Sequence, residues 1–232
     1  MTKRIAIVQS SYLPWKGFFD LIRSVDEFVL YDDMQFTRRD WRSRNRIKTA
    51  NGLHWLTVPV DVKGKFDQKI KETHVASRDW AASHWQTLRH AYAKAPYFSQ
   101  YRPEVEAAFV ELGDEPMLSR INFRLITMLC ELLGISTPIT WSMDYPQQEG
   151  KSERLLSICQ AAGASHYLSG PAAKDYMDVD LFERNGVGVS FADYSGYPEY
   201  PQSHGPFEHA VSVLDLLFNT GPNALNFMKQ QH

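Results

Sequence analysis

Residues 5–31 read IAIVQSSYLPWKGFFDLIRSVDEFVLY, and this stretch decides the fold class. Residues 5–8 are all apolar, which is typical of a strand buried on both faces. Residues 10–17 contain serine, proline and glycine and end that strand, and residues 18–25 have a helical pattern. A second apolar run at residues 28–31 completes a βαβ unit, whose strands are expected to be parallel with a right-handed crossover.

The same alternation of short apolar segments with helical patterns continues along the chain. We predict further strands at residues 53–60, 70–75, 137–141, 166–168 and 187–191. We predict further helices at residues 80–93, from Pro103 onward, and at residues 117–133, 152–162 and 211–219. This order predicts an α/β fold with a mainly parallel, Rossmann-like sheet. We expect a single α/β domain over residues 1–232, in which residues 76–135 form a helical lobe or cap.

Composition argues against several classes of protein. The 232 residues carry a formal net charge of −2, whereas a general nucleic-acid binder usually has a basic domain. No apolar run approaches the roughly 20 residues that span a bilayer, and the apolar stretch after Lys3 and Arg4 is too short for a signal peptide. Cys130 and Cys159 lie in apolar, helix-like stretches, and no histidine–cysteine spacing predicts a metal site. We therefore expect a soluble, cytoplasmic protein that does not bind membranes.

The strongest functional signal is DDMQFTRRDWRSRNRIK at residues 32–48, where six basic residues fall within eleven positions. We predict that residues 38–48 form a loop that binds an anionic small molecule such as a nucleotide or a sugar diphosphate. Guanidinium groups bind phosphate with paired hydrogen bonds, and an aromatic face stacks on a base or a sugar. The candidate binding residues here are Arg39, Trp41, Arg42, Arg44 and Asn45. If the segment is a strand, every second basic residue from Arg42 to Lys48 shares one face, and a solvated charged surface is the alternative interpretation.

Two polar loops follow the first two predicted strands, and ligands of parallel sheets bind at the carboxyl ends of strands. The first loop contains Gln9 and Tyr12 beside a helix start, which favours phosphate. Neither of the standard glycine-rich phosphate motifs is present. The second loop contains Asp32 and Asp33, one of which we expect to act as a general base or to hold magnesium. Capping of a turn by aspartate is the alternative.

Further candidates lie near the later predicted strands. The substrate-binding candidates outside the basic segment and the first loop are Lys151, Ser169, Gly170 and Tyr176. Ser169 and Gly170 directly follow a predicted strand, and no motif around Ser169 would activate it as a nucleophile. His204 lies in an aromatic loop at residues 193–207 and is the candidate catalytic histidine. An incidental loop histidine is the alternative.

Five segments of the chain resemble the WbqC-like protein family. They are QSSYLPWKG at residues 9–17, DDMQFTRRDWRSRNRIK at 32–48, WLTVP at 55–59, YLSGP at 167–171 and SVLDLLFNTG at 212–221. The resemblance implies a bacterial protein associated with genes for surface polysaccharides, including the O-antigen of lipopolysaccharide. It also implies action on a nucleotide-linked amino sugar, by attachment of glycine or another acyl group to the amine.

The first βα unit also resembles the nucleotidylyltransferase and class I synthetase superfamily. Proteins of that superfamily carry an H-x-G-H motif in the corresponding loop, whereas residues 16–19 of this chain read KGFF. The missing histidines argue against standard adenylyl transfer. An ATP- and magnesium-dependent nucleotidylyltransferase or ligase therefore stands as an alternative, and no cofactor is assigned.

Together these residues predict an enzyme that forms an amide on an amino sugar attached to a nucleoside diphosphate. The arginines would hold the diphosphate, and Asp33 or His204 would take a proton from the attacking ammonium group. A non-catalytic module that binds a nucleotide sugar is a further alternative. The sequence leaves open the sugar, the oligomeric state and the acyl donor, which is an ATP-activated amino acid, an aminoacyl-tRNA or an acyl-CoA.

Overall fold

The computed structural model describes residues 2–231 and contains two β-sheets in that part of the chain. The strands are β1 (Arg4–Val8), β2 (Glu27–Leu30), β3 (Arg44–Thr49), β4 (Gly52–Thr57), β5 (Ile139–Trp141), β6 (His166–Ser169) and β7 (Gly188–Phe191). The α-helices are α1 (Lys16–Arg23), α2 (Trp80–Tyr92), α3 (Phe98–Leu112), α4 (Leu118–Leu133), α5 (Ser152–Ala161), α6 (Val179–Arg184) and α7 (Val213–Thr220). Among residues 2–231, no helix combines the length and apolar character that crossing a bilayer requires.

The larger sheet has the strand order β5-β2-β1-β6-β7, and every pair of neighbouring strands in it is parallel. The chain moves outward from β1 to β2 and β5, and then returns to the other side of β1 for β6 and β7. The order therefore reverses between β1 and β6, as in doubly wound folds, whose ligands bind at the carboxyl ends of the strands near this point. The predicted α/β class with a mainly parallel, Rossmann-like sheet is confirmed.

Alternate residues of the central strands face opposite layers of the fold. Ala6 and Phe28 pack into the layer that contains α1, α4 and α7. Ile5, Ile7 and Val29 pack into the opposite layer, which contains α5 and α6. Both faces of the sheet are covered, which explains why these strands are apolar at successive positions rather than at every second one.

Helices α2, α3 and α4 occupy most of residues 76–135, the region predicted to be helical. Their buried side chains belong to the same apolar cluster as those of α1 and α7, so this region packs directly on the sheet layer. Whether it is a subdomain stays a prediction. Helix α3 starts at Phe98, and the predicted start at Pro103 is wrong because Phe98 packs on Phe218 with ring centroids 5.1 Å apart.

Two other element predictions are wrong. Residues 70–75 contain no strand, because Ile70–Glu72 forms a short 3₁₀ helix in which Glu72 N donates to Lys69 O at 3.0 Å. Helix α6 was not expected from the sequence, since its six residues are too few for a helical period to stand out. Asp178 starts this helix by accepting a hydrogen bond from Leu181 N at 3.0 Å.

Strands β3 and β4 form an antiparallel hairpin that carries half of the predicted basic loop. Thr49 pairs with Gly52 across the turn, and Gly52 has φ +98°, a conformation that favours glycine. Asn45 and Ile47 on one face of β3 are buried, and the basic residues alternate with them. The prediction of a loop is therefore wrong from residue 44 onward, and the arginines of β3 are held on a regular element.

The long segment at residues 193–207 contains no regular element, as expected, but buried polar contacts hold it against the core. Asp215 in α7 is fully buried and accepts hydrogen bonds from Tyr200 Oη at 2.8 Å and Gln202 Nε2 at 2.9 Å. Lys48 Nζ in β3 donates to Gln202 Oε1 at 2.9 Å. These contacts give the segment a structural role in joining the hairpin to α7.

Candidate functional site

A cavity of about 340 Å³ lies at the carboxyl end of β1, between α1 and the hairpin. Its walls are mainly apolar, and its aromatic rings are those of Trp15, Phe18 and Trp41. Its polar lining residues are Ser11, Arg42 and Asn45. Val8, the last residue of β1, also lines it. Apolar walls with a few fixed polar groups are the usual form of a small-molecule site.

Arg42 is the one charged residue that lines this cavity within the described part of the chain. Its side chain is 13 % exposed, and its Nε is buried without a hydrogen-bond partner. The carboxylate nearest to it, Asp40, has Oδ2 3.9 Å from that Nε. Burial lowers the pKa of Arg42, but a guanidinium remains charged because its ordinary pKa lies above 12. The cavity therefore contains a largely unpaired positive charge that an anionic ligand would neutralise.

Two backbone contacts fix the loop after β1 against the basic segment. Tyr12 N donates to Trp41 O at 2.9 Å, and Asn45 Nδ2 donates to Leu13 O at 2.8 Å. Leu13 has φ +42°, a strained conformation for a residue with a side chain, and it precedes Pro14. Strain of this kind persists where surrounding contacts over-determine the backbone. These contacts hold the two walls of the cavity in one arrangement.

Asp32 joins the loop after β1 to α4 beside this site, and it is inaccessible to a ligand. It is fully buried, and its carboxylate accepts hydrogen bonds from Ser10 N at 2.8 Å and from Ser119 Oγ in α4. Asn122, also in α4, donates to Ser10 Oγ and to Arg42 O, both at 2.9 Å. Burial raises the pKa of Asp32, and these hydrogen bonds oppose the increase. The catalytic role proposed for Asp32 from the sequence is replaced by a positioning role, because both oxygens are occupied.

Asp33 belongs to a second cluster, at the carboxyl ends of β2 and β5. Its Oδ1 accepts a hydrogen bond from Ser142 Oγ at 2.6 Å. Tyr31 lies close by, and burial raises its pKa to about 12, while the Arg154 guanidinium opposes that increase. Tyr176 is 56 % exposed and contributes to the same electrostatic environment. The cluster combines a carboxylate, a phenol and a guanidinium at the edge where ligands of this fold bind.

Backbone pairing connects the loops that carry the two clusters, although Val8 packs toward the layer of α1 and Tyr31 toward the layer of α5. Tyr31 N donates to Val8 O at 3.0 Å, so the residue that lines the cavity is paired with the first residue of the Asp33 loop. Gln9 follows directly and is partly exposed. Across β1, Ser169 is buried, with its Oγ donating to Tyr167 Oη at 3.2 Å. Open space adjoins the next residue, Gly170, because a Cβ placed there would touch nothing within 4 Å.

The remaining sequence candidates lie apart from the cavity. Arg39 and Lys151 are exposed, Arg39 with φ +57° and Lys151 at the start of α5. His204 hydrogen-bonds with Ala91 O at 3.0 Å near the end of α2, and it does not line the cavity. The structure therefore does not bring His204 to the Asp33 cluster. A histidine in an aromatic loop is a weak signal of catalysis, because packing of such a loop uses the same residue types.

Arg44 lies over Trp55 of β4, with its guanidinium carbon 4.1 Å from the ring centroid. Its Nε is buried without a hydrogen-bond partner. The ring centroid of Trp41 lies 5.5 Å from that of Trp55. Of the predicted arginines, Arg42 thus faces the cavity, and Arg44 faces an exposed aromatic group beside it.

Tyr12 is a core residue and not a ligand contact as predicted. It is fully buried, and its hydroxyl hydrogen-bonds with His84 Nδ1 of α2 at 2.8 Å. Burial lowers the pKa of His84 to about 4 and raises that of Tyr12. The Tyr12 hydroxyl donates a hydrogen bond to Nδ1 of neutral His84, which satisfies both groups inside the core.

We expect stability to fall as the pH decreases from about 6.5 to about 4, because His84 is neutral in the folded protein over that range and protonated in the unfolded chain. The separation of those pKa values corresponds to roughly 3 kcal/mol. Urea denaturation at several pH values would measure it. His84→Gln should reduce the pH dependence in this window, and His90→Gln, at an exposed position of α2, should not. An unchanged pH dependence in His84→Gln would contradict the assignment.

Several residues of these clusters were not selected from the sequence. They are Ser11, Trp15 and Trp55 in or beside the cavity, and Tyr31, Ser142 and Arg154 in the Asp33 cluster. Trp15 and Trp55 belong to the segments on which the family resemblance rests, and that position could have identified them as candidates. Ser142 and Arg154 lie more than a hundred residues from Asp33 in the chain, and no local pattern links them to it.

Comparison with known proteins places these observations in a family. A model described as the WbqC-like protein family matches residues 9–227. A protein of Mycobacterium tuberculosis (strain ATCC 25618 / H37Rv), which bears the name "Uncharacterized protein Rv1507c", is 49 % identical over 227 residues. The alignment covers 98 % of this chain and 98 % of that protein. No solved structure shows a significant match to the chain.

Proposed function

The chain belongs to the WbqC-like protein family, and on that premise we propose that it is an enzyme of bacterial surface-polysaccharide biosynthesis, O-antigen included. It transfers an aminoacyl group such as glycyl, or another acyl group, to the amine of a nucleotide-linked amino sugar. The reaction takes place in the cytoplasm and joins the acyl carbon to the sugar nitrogen as an amide.

The observation that supports this proposal most directly is the buried guanidinium of Arg42, whose Nε has no hydrogen-bond partner and whose nearest carboxylate oxygen, in Asp40, is 3.9 Å away. A nucleotide-linked sugar contains a diphosphate, which is the anion that an arginine binds with paired hydrogen bonds. The rings of Trp15 and Trp41 beside it offer flat apolar surface for a sugar or a base. A cavity of about 340 Å³ is at the small end of ligand pockets, which run from roughly 300 to 1,000 Å³. It suits one ring of such a ligand.

Asp33 takes the role of general base in this proposal. It accepts a proton from the sugar ammonium, and the freed amine attacks the carbonyl carbon of the acyl donor. The new bond joins nitrogen to carbon, the bond from that carbon to the leaving group breaks with its electron pair, and the second proton of the nitrogen passes to the leaving group or to solvent. Ser142 orients the carboxylate through its 2.6 Å hydrogen bond. Arg154 acts on Tyr31 of the same cluster, where its positive charge opposes the increase in the pKa of that phenol, and His204 has no role in this scheme.

Replacing Asp33 by asparagine is expected to lower the rate of acyl transfer at least about 100-fold while leaving ligand binding within about threefold, since a general base contributes roughly 10²–10⁴. Mass spectrometry of the sugar product, with UDP- and dTDP-linked amino sugars and glycyl-tRNA, glycyl-CoA or glycine with ATP as donors, would measure it. Asp114→Asn, at a surface position where the side chain is 86 % exposed, is the matched control.

The alternatives give different results in the same assay. Release of pyrophosphate from ATP in the presence of a candidate acid, without a nucleotide sugar, would support an ATP- and magnesium-dependent ligase. A nucleotide sugar that binds tightly and stays chemically unchanged with every donor would support a non-catalytic binding module. Either result would contradict the proposed transfer, and so would the absence of binding by any nucleotide sugar.

A further inference from the structure

Trp41, Trp55 and Arg44 form an exposed row of flat groups beside the cavity, which we call the hairpin platform. The two indoles are 41 % and 40 % exposed, unusually large values for tryptophan. Their centroids are 5.5 Å apart, and the Arg44 guanidinium lies 4.1 Å from the centre of Trp55. Trp41 also lines the cavity, so the platform and the cavity are continuous.

The guanidinium groups of Arg42 and Arg44 make no hydrogen bond to a protein acceptor among residues 2–231. The Nε atoms of both are buried without a partner, and Arg44 has no ion pair in the described residues. Stacking on Trp55 uses the face of the Arg44 guanidinium and leaves its N–H edge available for phosphate. The row therefore combines aromatic surface with two donors that lack an acceptor, which is the composition of a nucleotide site.

The other basic residues on this face of the hairpin are already engaged. Arg46 Nε donates to Ala210 O at 3.1 Å. Lys48 Nζ donates to Gln202 Oε1 at 2.9 Å. Asn45 is on the buried face, and its amide is bonded to backbone oxygens of the loop after β1. Few side chains are left that could hydrogen-bond to the edge of a base.

We propose that the hairpin platform binds the base of the nucleotide-linked substrate by stacking alone, with the diphosphate on Arg42 and Arg44 and the sugar inside the cavity. The orientation of the ligand in this proposal rests on the proposed function, because the amine of the sugar must reach Asp33 at the end of β2. Val8 lines the cavity and is paired with Tyr31 there. The base then lies outside, and the protein discriminates between sugars and hardly between bases.

The test is to measure dissociation constants of UDP, dTDP, ADP and GDP for the full-length protein by calorimetry. We expect the four constants to agree within about threefold, since stacking tolerates every base. Trp55→Ala should weaken all four by about tenfold and Trp55→Phe by much less. Val110→Ala, at a position on α3 that is 74 % exposed, should change none of them.

Preference for one base by more than about tenfold would overturn the inference, and so would unchanged affinities in Trp55→Ala. Circular dichroism of each variant would check the fold, and Trp55→Phe retains the aromatic ring if the alanine variant is unstable. The proposed function fails separately from the inference. Base-tolerant binding that depends on Trp55, without acyl transfer, would keep the platform and reject the reaction, whereas acyl transfer with strict base preference would do the reverse.

Discussion

Replacing Arg42 by methionine should lower the affinity for a nucleotide-linked amino sugar at least about 30-fold and should not destabilise the unliganded protein. The loss follows because a hydrogen-bonded buried charge pair contributes several kcal/mol, of the order of 2–5. The retained stability follows because the guanidinium is 13 % exposed and its Nε has no hydrogen bond, so its removal also removes a buried charge that the Asp40 carboxylate at 3.9 Å compensates only in part. Methionine has a similar length and fills the same space.

Two measurements check this prediction. Calorimetry with UDP- or dTDP-linked amino sugars gives the affinity, and thermal unfolding without ligand gives the melting temperature, which we expect to be unchanged or higher. Arg78→Met is the control, because Arg78 pairs with Asp114 on the surface with its side chain 78 % exposed, and neither quantity should change. Full affinity in Arg42→Met would show that the cavity binds no anion through this residue.

Replacing Asp32 by alanine should reduce the free energy of unfolding by about 3–5 kcal/mol. The substitution leaves Ser10 N and Ser119 Oγ without their acceptor inside the protein, and hydrogen bonds to a charged group contribute about 1.5–3 kcal/mol each. Urea denaturation monitored by fluorescence would measure the change. Asp32→Asn should cost less, because the amide keeps one acceptor oxygen and its NH₂ donates to the serine hydroxyl.

Asp33→Ala is the variant whose stability should be compared with that of Asp32→Ala. Within residues 2–231 the Asp33 carboxylate accepts one hydrogen bond, from Ser142, so we expect a loss of stability of only about 1–2 kcal/mol. The pair of adjacent aspartates thus separates a stability effect from an activity effect. An Asp32→Ala protein as stable as the parent would contradict the positioning role, because loss of the acceptor for Ser10 N and Ser119 Oγ would then have no cost.

Buried strands and long helices could be predicted from the sequence because their signals are local. The run at residues 5–8 has to be covered on both faces, and only a sheet between two layers of helices does that. Gly134, with φ +69°, ends α4 directly after the predicted helix at residues 117–133. The hairpin was mistaken for a loop in its first half because arginine and asparagine are not typical strand residues. Its pairing with β4 and the burial of Asn45 and Ile47 outweigh that preference.

The two aspartates show the limit of the same reasoning at the site. Their place after β2 could be predicted from the apolar run that precedes them, but the two buried side chains have different partners. Asp32 meets Ser119 of α4, and Asp33 meets Ser142 after β5, and both partners are distant in the chain. No local pattern distinguishes a carboxylate held in the core from one at the sheet edge.

The amino-acid sequence by itself determined the α/β class, the place of the polar loops at the strand ends and the positive charge next to them. It did so because burial and backbone preference act on residues close together in the chain. The tertiary structure alone decided that Arg42 faces a cavity, that Arg44 stacks on Trp55, and that Tyr12 and His204 serve the packing. These outcomes depend on contacts between side chains that are far apart in the sequence. Such contacts decide whether a charged group is paired within the protein, solvated, or available to a ligand.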